Sequence, residues 1–178
     1  MIFESYYWKN NLRRNATSIK SRIANQKIWR DASLAILEQE IILSFYSIRK
    51  LLESKKVTDE LKHKFIPTKC YKRLGDGNIN YYNWHDIDKH YALQTQESNN
   101  VKIKDICNLI IHSYIFIFNF NDTNSPYSVF FNSDYTKNEQ LYELELASII
   151  DIFLIVSEDY PQKVTSYYKD NELILKVE

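Results

Sequence analysis

Asn108 and His112 stand four residues apart in Asp105-Ile106-Cys107-Asn108-Leu109-Ile110-Ile111-His112-Ser113-Tyr114, a segment that is otherwise largely apolar. Residues i and i+4 share one face of a helix, so this spacing aims both polar groups the same way, and Asp105 extends the stripe by another turn. Polar side chains in an apolar helix need hydrogen-bond partners or a chemical task, because burying them unpaired is costly. An imidazole beside polar donors can serve as general acid or base near neutral pH. In RNA cleavage it would take the proton of a 2′-hydroxyl or give one to the leaving oxygen. The charge growing on the phosphate would need a cation or hydrogen-bond donors. Asn108 can donate, but no cation adjoins His112 in sequence. Arg49, Lys50, Lys102 and Lys104 are the groups a fold could bring near it.

The segment resembles the HEPN family, helical bundles that carry an Arg, commonly a polar residue such as Asn, a few apolar residues and then a His. In the toxin branch a Tyr often follows two residues later. Asn108, His112 and Tyr114 match that pattern over about ten residues, and Cys107 stands at the position of the family's Arg. The resemblance implies an RNA-binding protein or a degenerate metal-independent ribonuclease of the bacterial defence or toxin–antitoxin kind, needing no cofactor and commonly completing its site by homodimerisation. It makes His112 the acid or base, with Asn108 and Tyr114 positioning phosphate or solvent. A thiol cannot clamp phosphate as a guanidinium does, so activity on this pattern depends on a cation arriving from elsewhere in the fold.

Two plainer accounts stand beside it. The segment can be a buried structural helix in which His112 bonds a backbone carbonyl, Asn108 caps a loop and Cys107 packs as a small hydrophobe. Alternatively, the chain is a non-catalytic protein–protein interaction module or a homodimeric structural protein. A second cluster, His85, Asp86 and His90, suggests no metal site: the histidines are five apart, a helix would splay them, and no Cys or Glu completes a tetrahedral set.

Charge is unevenly placed. Residues 1–30 hold seven Lys or Arg against the single Glu4, leaving 16 basic and 22 acidic side chains of the 23 and 23 for the remainder. Within this stretch, residues 1–16 read as a basic aromatic arm carrying Phe3, Tyr6, Tyr7 and Trp8. Arg13, Arg14, Lys20 and Arg22 are the candidates for contacts to RNA or to a protein partner.

The elements that must position these groups follow from pattern. Leu34, Leu37, Ile41, Phe45, Ile48 and Leu52 recur at helical steps, and residues 17–54 contain no Pro or Gly. This predicts one long helix, or two joined near residues 30–33 with Asp31 or Ser33 as the second cap. Thr58-Asp59-Glu60 predicts a short helix closed by Pro67. Residues 67–100 carry a Gly75-Asp76-Gly77-Asn78 turn and an exposed loop at 97–100. A helix over 101–113 is followed by strands at 115–120, 127–131 and 141–146, a helix over 148–157, and a short strand or tail at 173–177.

These elements predict a single α+β domain over 1–178: a helical bundle with a small antiparallel sheet at about 115–146. An apolar fraction of 44% in 178 residues supports a core without staples. Two cysteines without CxxC spacing, and an opening without a signal-peptide pattern, predict a reducing cytoplasm. No apolar run has the length of a membrane span.

Overall fold

The computed structural model describes residues 2–170 and 172–178. It is a mixed α+β fold with two long N-terminal helices, a five-stranded antiparallel sheet and a small two-stranded sheet. Two long helices open the chain, α1 over Ser5–Asn25 and α2 over Asp31–Glu53. The break predicted near 30–33 is real, but the cap position falls on Arg30, whose carbonyl accepts from Ser33 N at 2.8 Å and Leu34 N at 3.0 Å. Residues 5–16, expected as an arm, form the first half of α1. Lys9, Leu12, Ala16 and Ile19 line its buried side, while Tyr6 and Tyr7 remain exposed.

Thr58 caps α3 (Asp59–His63), its hydroxyl accepting from Leu61 N at 3.3 Å. Pro67 does not close this helix. The helix ends at His63, and Pro67 lies inside strand β1 (Phe65–Lys72). A short helix α4 (Ile87–His90) precedes β2 (Glu97–Lys102), which includes the residues expected as a loop. Helix α5 then runs only from Ile103 to Ile111, shorter at both ends than the predicted 101–113, because β2 claims its start and β3 (Ser113–Phe120) its end. β4 (Pro126–Ser133), β5 (Gln140–Glu145), α6 (Leu146–Glu158), β6 (Val164–Lys169) and β7 (Glu172–Val177) complete the order.

The main sheet has the order β2-β1-β5-β4-β3, all neighbours antiparallel, and β6 and β7 form a separate hairpin. The sheet is therefore larger than the predicted three strands, which are its β3-β4-β5 half. Its inner face carries Cys70, Phe131, Tyr142 and Leu144, which share a core with α1, α2, α5 and α6. On the other face Tyr71, Ile115, Phe130 and Leu141 pack under Ile79 and Tyr91 of the crossing between β1 and β2. Among the described residues no helix is long and apolar enough to cross a membrane.

Candidate functional site

Helix α5 is strongly two-sided. Ile103, Ile106, Cys107 and Ile110 are fully buried, while Lys104 and Asp105 are exposed and Asn108 is half-buried. Each buried residue follows another by three or four positions, which holds Asn108 at the border between core and solvent. Burial pushes the Cys107 thiol well above its ordinary range, so it is a neutral core atom.

The cation absent beside His112 in sequence arrives at Asn108 from α2. Arg49 lies 59 residues earlier in the chain and donates from Nη1 to the Asn108 side-chain oxygen. Its Nε donates to Glu53 at 2.7 Å. Of the other candidates, Lys50 is turned to Glu53 at 3.0 Å and lies over the Tyr46 ring. Lys102 and Lys104 flank the first turn of α5 and form no ion pair among the described residues.

His112 occupies the cap position after α5 (φ −104°, ψ 27°), and its backbone N–H donates to the carbonyl oxygen of Asn108 at 3.1 Å. It sits one residue past the helix, because Ser113 already belongs to β3, and its side chain is exposed. Tyr114 goes elsewhere. It is half-buried against the second core cluster, with the Lys137 ammonium 3.6 Å from its ring centre. The structure thus joins Asn108 to Arg49 and keeps His112 adjacent through the backbone, while Tyr114 packs with the crossing segment.

The four basic residues of α1 have different surroundings. Arg13 and Arg14 are exposed without ion pairs among the described residues. Lys20 is exposed at the mouth of an apolar cavity of about 430 Å³ between α1, α6 and β4. Arg22 is taken up within the chain: it donates to Glu40 at 2.8 Å and to the Ser33 carbonyl at 2.7 Å, holding the α1–α2 corner.

Two concavities flank α5. One, of about 270 Å³, is lined by Arg49, Glu53, Lys62 and Lys104. The other, of about 420 Å³, lies between α5 and the β1–β2 edge and is lined by Phe65, Asn99, Asn100, Lys102, Asp105 and Asn108, among others. Phe65, Asn99, Asn100 and Lys62 were not singled out by sequence. The one cue was a pair of asparagines next to a lysine-bearing helix start, and that pattern is shared by ordinary loops. Fold and site together define an α+β protein with a half-buried Asn–Arg pair set between two open hollows. Comparison with family models, curated proteins and solved structures finds no match to this chain.

Proposed function

We propose that this is a HEPN-like RNA-binding protein of bacterial defence or toxin–antitoxin type, working in the cytoplasm, whose α5 edge can run metal-independent RNA cleavage. The observation that carries the proposal is the bond from Arg49 to the side chain of Asn108, whose backbone carbonyl accepts from the N–H of the exposed His112. It supplies, from a different helix, the fixed positive charge that Cys107 lacks. In this scheme the His112 imidazole exchanges protons with the 2′-hydroxyl or the leaving oxygen, and the Arg49 guanidinium and Asn108 amide stabilise the phosphate charge. Tyr114 has no part in it at its present position.

The test is incubation of purified protein with structured RNA, alongside His112→Ala and Arg49→Ala. Loss of cleavage in both variants supports the proposal. Equal cleavage by all three proteins assigns the activity to a contaminant and removes this site from consideration. RNA binding by all three without cleavage leaves an RNA-binding protein whose catalysis is degenerate.

A second reading, association through the helical pair, is favoured by a separate observation. Ile36, Leu43 and Tyr46 lie on one side of α2, seven and three residues apart, and are 52%, 59% and 44% exposed. Phe3, fully exposed, lines the same hollow as Tyr46. Contiguous apolar surface of this kind suits a second copy or a protein partner. Leu43→Glu would lower the mass measured by sedimentation if a second copy covers this face, and an unchanged monomer mass would dispose of the homodimer.

A further inference from the structure

We infer that the hollow of about 420 Å³ beside Asn108 is a pocket for one unpaired nucleobase bearing an exocyclic amine; this rests on the RNA reading above. Its size lies within the range of small-molecule sites, which run from about 300 to 1,000 Å³.

Its chemistry is selective. Asn99 and Asn108 bring two side-chain amides, each able to donate and accept, to one concavity, while Asn100, the next residue of β2, points its side chain to the other face of the strand. The Asn108 oxygen is already engaged by Arg49, and the Asn99 oxygen accepts from Asn100 N at 2.8 Å. With the Asn108 amide assigned to the phosphate, the Asn99 amide nitrogen is the group that can turn toward a base. Asp105 adds a carboxylate with no ion-pair partner among the described residues. A carboxylate inside the hollow repels phosphate and accepts from an amine. It therefore argues for a base in the pocket and phosphates outside it.

The rim fits that division. Lys102 and Lys104 bracket α5's start, and Arg49 and Lys62 line the neighbouring hollow, so a backbone leaving the pocket meets cations. Phe65 is 55% exposed at the edge of the same hollow, with the Lys102 ammonium 5.4 Å from its ring centre. An exposed ring beside a lysine can stack a base while the lysine holds the adjoining phosphate. Asn, Asp and an aromatic ring around one concavity match how proteins read the edges and faces of unstacked RNA bases.

The pocket is tested by fluorescence anisotropy with eight-nucleotide oligo(A), oligo(C) and oligo(U) at several salt concentrations, using the wild-type chain, Asp105→Ala and Phe65→Ala. Asp105 and Phe65 are both exposed, so neither change should disturb the core. Wild-type binding of oligo(A) and oligo(C) should exceed that of oligo(U) by about fivefold or more. Asp105→Ala should erase that preference. Phe65→Ala should weaken all three by about fivefold while keeping the preference. Equal affinity for the three oligomers, or a preference that survives Asp105→Ala, overturns the pocket and leaves the RNA reading in place. An unchanged Phe65→Ala overturns the stacking role. No binding of any oligomer at low salt overturns the RNA reading and the pocket together.

Discussion

Tyr142 and Glu143 are consecutive residues of β5, and alternation along a strand sends them to opposite faces of the sheet. Tyr142 lines the open hollow beside α5. Glu143 is 3% exposed and enters a closed polar cluster on the other face. There its carboxyl group accepts from the Tyr71 hydroxyl at 2.5 Å, from the Ser128 hydroxyl and from the Asn119 amide at 3.2 Å. Both regions place polar groups against apolar walls. In the closed one the partners are supplied by neighbouring strands and the carboxylate itself is shut away from solvent, which is how a fold satisfies a buried polar group. In the open one the Asp105 carboxylate and the Lys102 and Lys104 ammonium groups have no ion-pair partners among the described residues. Saturation marks architecture, and unused capacity at a solvent-facing hollow marks a place for something else to bind. The two regions should therefore respond to substitution in opposite ways.

The largest effect is expected where the motif meets the core. Cys107→Arg would restore the residue type of the family that the segment resembles, yet Cys107 is fully buried among Ile103, Ile106 and Ile110. A guanidinium there overfills the site and brings an uncompensated charge into it, costing about 4 kcal/mol or more. A melting temperature close to wild type would show that the side chain reaches solvent, and with it that the cation position is open on this face. Next in size is the closed cluster itself. Glu143→Leu leaves the Tyr71, Ser128 and Asn119 donors without their acceptor and should cost about 3 kcal/mol, whereas Glu143→Gln keeps one carbonyl acceptor and should cost less. Denaturant unfolding measures both. Equal and small losses would mean that the cluster contributes little to stability.

How much of this could be read from the chain varies by element. The α2 stripe was legible because its apolar steps repeat without a Gly or Pro to interrupt them. The β3–β4 hairpin was legible because a β-branched and aromatic run meets a clear turn cluster at 121–126. β1 was hidden by Pro67, a residue that usually ends regular structure. It is tolerated because pairing with β5 starts only at Lys69, so one side of the strand is free at that point. β2 was hidden by its own polarity: Glu97, Ser98, Asn99 and Asn100 have weak strand preference and are held by the ladder to β1. The site was half legible. Asn108 and His112 stood out by local spacing, but the bond that joins Arg49 to Asn108 is a tertiary fact with no local signature. His112 left the expected stripe because the strand-forming run that follows it ends the helix early.

A smaller and broader effect is expected from alkali. Tyr91 is pushed up to about 12 by burial, and Tyr71 is pushed up by burial and by the adjacent Glu143. Burial raises Cys107 as well. Groups whose values are raised in the folded chain stabilise it fully below their unfolded values, near 9 for the thiol and 10 for the phenols. That contribution is lost as pH climbs through the folded values, because the unfolded chain releases those protons first. Lys9 works in the opposite sense. Its value is lowered chiefly by burial, so its contribution improves with rising pH until the unfolded lysine also loses its proton, near 10.5. The opposing trends should keep the melting temperature nearly level to about pH 10, with the steepest fall between about pH 10.5 and 12. Replacing Tyr91 by Phe should flatten that fall, at the cost of the hydrogen bond its hydroxyl donates to the Lys137 carbonyl and the one it accepts from the Asn132 amide. A melting temperature that stays constant to pH 12 would contradict the assignment of these buried groups.

The smallest stability effect, and the sharpest contrast with Glu143, belongs to Arg49. Its bonds to Asn108 and Glu53 are made at a half-exposed surface, where a solvent-screened, charge-assisted hydrogen bond and an exposed ion pair together contribute about 1 kcal/mol. Arg49→Ala should therefore lower the melting temperature by only about 2–4 °C in a chain of this length. Its effect on RNA should be out of proportion to that loss. If the guanidinium meets a phosphate, its removal weakens binding to every sequence alike and reduces the salt slope by about one counterion. Arg49→Lys separates charge from geometry: a lysine restores the positive charge but not the planar guanidinium that bonds Asn108 through Nη1 and Glu53 through Nε at once. Recovery of affinity with Lys but not of cleavage would place the guanidinium's role in orientation. A large loss of stability with unchanged RNA affinity would put Arg49 in the same class as Glu143 and erase the distinction between the open and the closed face.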